Sequence, residues 1–231
     1  MTKVYVVAYP GCYASSLSNP QDLYMVANAH WRDQYRGEEG VFEWQTLSLD
    51  GGPVTTASHL RVVVDGPLVD LEPESIVVVP AMAYPGGREF NKTLESLRPL
   101  VTWLVRQYAN NCTICSHCTG SFIVAETGLL NGLNATTSWW LAEQFQQRYP
   151  DITLHADQLV VDEGRLLTGG ANGAEMVAAL TMVERYMGTA VASQCARTLL
   201  VEPILLSKRH TSPCHARNST TTRSCWKSKI T

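Results

Sequence analysis

No apolar run in this 231-residue chain is long enough to cross a bilayer. Stretches such as Ile76 to Val79 and Leu159 to Val161 fall far short of the roughly 20 residues required. The start, MTKVYVVAYPGC, has neither the basic n-region nor the small-residue cleavage site of a secretory leader. A disulfide framework is missing too, since the cysteines number seven and are irregularly placed. These absences point to a cytoplasmic protein with no membrane partner. Internal repeats are lacking. Charge is sparse, 17% of residues against 45% hydrophobic, which suits a globular domain with a sizeable core. Acidic residues are wholly absent from Ile204 to Thr231, which carries six Lys/Arg. The rest then holds 12 basic and 21 acidic residues, a net −9, and that argues against nucleic-acid binding by the main body.

What is present is an alternation of strand and helix patterns. Lys3 to Tyr9 is Val/Tyr-rich and reads as a first strand. Asn19 is placed to cap a helix with Pro20 at its first position, running to about Tyr35. Val41 to Leu49 is a second strand and Leu60 to Val64 a short strand or hairpin arm. Ser75 to Val79 is a continuous apolar run of the kind buried in a parallel sheet. Leu94, Leu97, Leu100, Val101, Leu104, Val105 and Tyr108 follow helical spacing and predict one helix over 90–109. Further helices are expected over 139–149, from Gly170 onward (Met176, Leu180, Val183, Met187), and over 190–200. Strands are expected over 152–161 and 165–168, joined by the turn Asp162-Glu163-Gly164. The reading is an α/β three-layer sandwich with a mostly parallel sheet.

The chemically pointed stretch is Thr113 to Gly128, TICSHCTGSFIVAETG. It reads as a buried strand (113–116), a tight turn at His117-Cys118-Thr119-Gly120, and a helix from about Ser121 to Gly128. Such a nucleophile elbow holds a side chain exposed at the carboxyl end of the strands, beside the N–H groups of a helix start. Those groups favour a thiolate at Cys118. His117, its sequence neighbour, is expected to point to the other face and be held by local hydrogen bonds. Cys112, Cys115 and Cys118 form a C-x-x-C-x-x-C run. Residues three apart on a strand face opposite sides, so no metal site is expected, and Cys112 and Cys115 read as core. An exposed Cys118 leaves open a redox-sensing role. His30, His59 and His155 carry no motif. Tyr13, Tyr84, Trp139 and Trp140 could line a pocket over the elbow, or pack in a core or interface. The loop from Ala81 to Arg88 is placed to cover it, Arg88 could meet a carboxylate, and Asn172 could cap a helix or reach a ligand. Nothing in the sequence asks for a cofactor.

Cys118-Thr119-Gly120, Ala125-Glu126-Thr127-Gly128-Leu129-Leu130, Ala135-Thr136-Thr137 before Trp139, and Asp162-Glu163-Gly164-Arg165 before Leu166-Leu167-Thr168 together resemble PfpI/ThiJ-like domains. Those domains are flavodoxin-like, of the class I glutamine amidotransferase-like fold. More narrowly, the stretch is similar to the amino-terminal domain of GlxA-type AraC-family regulators. The likeness runs from about Lys3 to Pro203, which makes 1–203 the domain and leaves 204–231 as a basic, unpatterned segment. That segment is either a DNA-binding arm or a solvated or disrupted end, and is too short for a helix-turn-helix pair.

The resemblance implies a domain that senses a small metabolite and forms a homodimer, with DNA bound only through a helix-turn-helix domain that this chain does not hold. It implies a ligand site of Cys118, Thr119, Ala81, Met82, Tyr84, Ser138, Trp139 and Ser16. The competing implication is a cysteine-dependent amidase or hydratase with Cys118 as nucleophile. Enzymes of the superfamily pair that cysteine with a histidine and an acid. Here Ser138 precedes Trp139 where a histidine is common, and Ser16 stands near the usual acid. Ala81, after Pro80, replaces a glycine by the oxyanion position. Glu126 is expected to serve helix packing or a subunit contact.

Overall fold

The structure, a computed structural model, describes residues 1–36 and 39–201. The basic segment from Ile204, with the expectations attached to it, lies outside the described residues.

The strands are β1 (Thr2–Ala8), β2 (Phe42–Ser48), β3 (Val54–Thr55), β4 (Arg61–Val62), β5 (Gly66–Pro67), β6 (Ile76–Val79), β7 (Thr113–His117), β8 (Asn134–Ala135), β9 (Thr153–Leu154), β10 (Val160–Asp162) and β11 (Leu166–Gly169). The helices are α1 (Ala14–Gln34), α2 (Gly87–Ser96), α3 (Arg98–Ala109), α4 (Gly120–Ala125), α5 (Ala142–Arg148) and α6 (Ala174–Thr198), with a 3₁₀ turn at Trp139–Leu141. Seven strands form one sheet in the order β10-β11-β7-β6-β1-β2-β5. Every neighbouring pair is parallel except β10 with β11. Helices α1 and α6 cover one face, while α3 and α4 pack on β6 and β7 from the other. This is the expected three-layer α/β sandwich. β6 (IVVV) and β7 (TICSH) are buried throughout, as central parallel strands with both faces covered must be.

The chain leaves β1 toward β2 on one side and later places β6 on the other. The crevice at the carboxyl ends of β1 and β6 is therefore the switch point where open α/β sheets bind ligands. The elbow after β7 adjoins it.

Several boundaries differ from the sequence reading. Helix α1 starts at Ala14, so Pro20 lies inside it and Asn19 is not its cap. Asn19 instead donates its side-chain amide to Glu175, 2.9 Å away. The single helix expected over 90–109 is two, broken at Leu97 (φ −89°, ψ 9°), with Pro99 in the first turn of the second. Pro99 has no N–H to return to the preceding turn, so the second helix starts afresh where that N–H is not needed. The strand expected over 152–161 is two pieces. Thr153–Leu154 pairs with Asn134–Ala135 outside the main sheet, and only Val160–Asp162 joins it, after a turn closed by Gln158 N–H on the His155 carbonyl (3.1 Å). The elbow helix stops at Ala125, short of Gly128. The last two expected helices form a single element that breaks at Gly188 (φ 82°, ψ 165°), a conformation open to glycine.

Phe122 joins the layers on the elbow side. It is fully buried and meets Phe90 and Phe145 edge to face, at 5.0 and 4.9 Å between centroids. Among the described residues no helix is long and apolar enough to cross a membrane. Phe122→Ala should lower unfolding stability by about 3–5 kcal/mol, read from urea denaturation, because Phe90, Phe145 and Tyr149 lose their common partner.

Candidate functional site

The elbow is built from one strained residue and one missing side chain. Cys118 has φ 56°, a left-handed conformation seldom adopted outside glycine, asparagine and aspartate. It is held there from three directions. Its N–H donates to the Gly169 carbonyl (2.7 Å), and its own carbonyl accepts from the Thr137 hydroxyl (2.8 Å) and from Ser121 N–H (3.3 Å). Gly120 follows. A Cβ there would fall against the carbonyl oxygens of Val79, at 2.7 Å, and Pro80. Only glycine lets the elbow helix approach the end of β6 this closely.

Above the elbow lies the loop after β6. Thr119 clasps it doubly, accepting from Met82 N–H (2.8 Å) and donating to the Met82 carbonyl (2.7 Å). Ala81 N–H donates to His117 Nε2 (3.3 Å), and the Ala81 carbonyl accepts from Tyr13 N–H (2.9 Å). Ala83 N–H donates to Gly11 (3.0 Å), and the Tyr9 hydroxyl donates to the Pro80 carbonyl. The Ala81 and Met82 amides that could have served an oxyanion are thus already engaged within the protein.

Cys118 is not exposed, contrary to expectation: it is 5% accessible. The reason is the chain that folds over it. Ser138 Oγ lies 2.8 Å from the Cys118 sulfur, and Thr137 and Ser138 are themselves buried. Ser138 therefore occupies the place beside the sulfur that a general base would need, and a serine hydroxyl is no base near neutral pH. Ser16 is fully buried and donates to Asn172 Oδ1 (3.1 Å), so it is tied to the start of α6. Trp139 and Trp140 stand half exposed beyond Ser138. Tyr84 meets Trp140 edge-on at 5.3 Å and donates to Gln144 (2.9 Å), which makes these rings the outer rim of the site. Arg88 is exposed in the first turn of α2, and Asn172 precedes α6 without being its cap residue, which is Gly173.

His117 is buried and held by the loop after β6, 36 positions away, and not by the local hydrogen bonds expected. Burial pushes it down to about 4, against an opposing pull from Glu175. With Nε2 accepting from Ala81, the neutral ring carries its proton on Nδ1. Glu175, buried at the second position of α6, was not singled out from the sequence. Its signal was a lone acid heading an apolar helical run. It is bound by Asn19 and by Gly173 N–H. Glu126 pairs with Arg148 (2.7 Å) and accepts from Tyr149, which ties the end of the elbow helix to α5 and the residue after it. Cys115 is pushed up to about 12 by burial and Cys112 is raised for the same reason, which keeps both as core thiols. Among the described residues no group of three His, Cys, Asp or Glu is arranged to hold a metal ion.

The family model described as DJ-1/PfpI family matches residues 33–185, the span from α1 through the elbow into α6. This chain belongs to the DJ-1/PfpI family. Within the DJ-1/PfpI family it is similar to the HTH-type transcriptional regulator CdhR of Pseudomonas aeruginosa, 29% identical over 202 residues, covering 87% of this chain and 55% of that protein. It is also similar to the isonitrile hydratase of Pseudomonas putida, 30% identical over 142 residues, covering 61% of this chain and 58% of that one. The chain thus spans little more than half the length of either relative. Among solved structures, an AraC family transcriptional regulator from Pseudomonas putida superposes with a TM-score of 0.64 at 17% identity, over 86% of this chain and all of that one, a likeness of fold.

Two outcomes test the site's construction. Gly120→Ala should destabilise the protein by roughly 3 kcal/mol or more in thermal or urea unfolding, since backbone oxygens cannot yield. His117, depressed in the folded state relative to 6.5 when unfolded, contributes stability that is complete above that value. It is lost as pH falls toward 4. Urea unfolding across this window should show stability falling with acidification, and His117→Gln should flatten the slope.

Proposed function

We propose that this chain is the ligand-sensing and dimerisation domain of an AraC-type transcriptional regulator. A small metabolite binds at the elbow, against Cys118, Thr119, Ala81, Met82, Ser16 and Ser138, with Tyr84 and Trp139 at the rim. DNA is bound through a helix-turn-helix domain outside the described residues. The observation that carries this reading is the pairing of Cys118 with Ser138 at 2.8 Å, in a site whose loop amides are already hydrogen-bonded. A binding site tolerates that arrangement. A Cys-His hydrolase does not, because Ser138 supplies no base for the thiol proton and the Ala81 and Met82 amides are committed to His117 and Thr119. The kinship with CdhR supports the regulator reading.

The similarity to isonitrile hydratase favours a second reading, a hydratase or amidase using Cys118. Thermal-shift screening of metabolites against the wild type, with Cys118→Ala and Ser138→Ala alongside, separates the two. The sensor reading expects a stabilising metabolite whose effect drops in both variants, and no turnover of a simple alkyl isonitrile or amide. Turnover abolished by Cys118→Ala would overturn it.

A further inference from the structure

The end of α6 lies close to the turn that holds the elbow. Helix α6 breaks at Gly188 (φ 82°) and continues to Thr198. Val201 then packs against Leu159, Ala174 and Val177, so the last described residue sits beside the first turn of the same helix. Ala171 belongs to that seat as well. Val201 N–H is held on the Ala196 carbonyl at 2.9 Å, and Leu199 N–H on Cys195 at 2.9 Å, which fixes that end.

The turn that forms this seat also carries the elbow. Gly169 accepts the Cys118 N–H, Gly170 N–H donates to the Leu159 carbonyl (2.7 Å), Asn172 accepts from the buried Ser16, and Gly173 N–H helps hold Glu175. Five consecutive residues, 169–173, therefore support Cys118 at one end and adjoin the seat of Val201 at the other. Asn172 is the side chain between them that reaches toward the site.

We infer that the 169–173 turn, with Asn172 as its positioning residue, couples the state of the Cys118 elbow to the stretch Leu199 to Val201 that follows α6. The inference rests on the sensor reading and supplies its output. A group lodged against Cys118 disturbs the elbow backbone that the Gly169 carbonyl holds, and a shift of this turn moves the seat of Val201 directly. The signal need not cross the sheet.

The test uses the full chain and no metabolite. Cys118→Met enlarges the elbow side chain in place of a ligand. Amide hydrogen exchange is followed by mass spectrometry in peptides covering 195–201, with β2 as a remote control. Cys118→Met is expected to speed exchange at Leu199 and Val201 by about fivefold, the scale of one weakened neutral hydrogen bond, with β2 unchanged. Asn172→Ala is expected to remove that response in the double variant, a non-additivity that simple local loosening would not produce. Cys118→Ser, which alters the elbow without filling it and keeps the fold, should leave 195–201 as in the wild type. Unchanged exchange in Cys118→Met, or the same acceleration with and without Asn172, would overturn the coupling. The metabolite screen is read separately, so failure there removes the sensor reading while leaving the coupling measured.

Discussion

The upper end of this sheet depends on one close approach, that of the Gly120 backbone to the carbonyl oxygens closing β6. Because no side chain intervenes, the elbow helix can start immediately after β7. Cys118 is then forced into a left-handed conformation that four surrounding elements stabilise. Gly169 comes from β11, Thr137 from the loop after β8, Ser121 from α4 itself, and the Met82 clasp on Thr119 from the loop after β6. Strain at one residue is sustained only where its surroundings over-determine it. The same bonds that impose the conformation also close the site, which is why the cysteine is both strained and buried.

That closure alters the chemistry open to the fold. A thiol beside a histidine in an open crevice is a nucleophile with a place for its proton. A thiol beside a serine, under a loop whose amides are spent on Thr119 and His117, is a surface of fixed shape and modest polarity. His117 contributes to this. Its neutral ring is an acceptor for Ala81, so it stabilises the loop and is not available to the sulfur.

Much of the architecture was legible in sequence because it rests on local signals. β-branched runs gave β1, β2, β6 and β7 within a residue or two, and the Cys-Thr-Gly turn placed the elbow. Ser138 was placed near Cys118 by the family resemblance, through its position before Trp139, and not by a local signal. What escaped depends on distant partners or on competing local rules. Pro20 carries the same local signal at a helix start and inside a helix, and α1 took the second. Pro99 overrode an unbroken hydrophobic periodicity by restarting the helix. The burial of Cys118 follows from loops that meet it only in three dimensions. The pairs Ser16–Asn172 and Asn19–Glu175 each join residues 156 positions apart, so no spacing rule could have found them.

One edge of the main sheet has a consequence for assembly. β5 is only Gly66–Pro67, paired to β2 and to nothing beyond. A two-residue edge with a proline lacks the run of amide donors that an incoming strand would need. Copies of this chain cannot readily zip together there into a continuous ribbon, and the sheet is capped on that side by its own covalent chemistry. Any contact made at that edge must therefore rest on side-chain shape and not on backbone pairing.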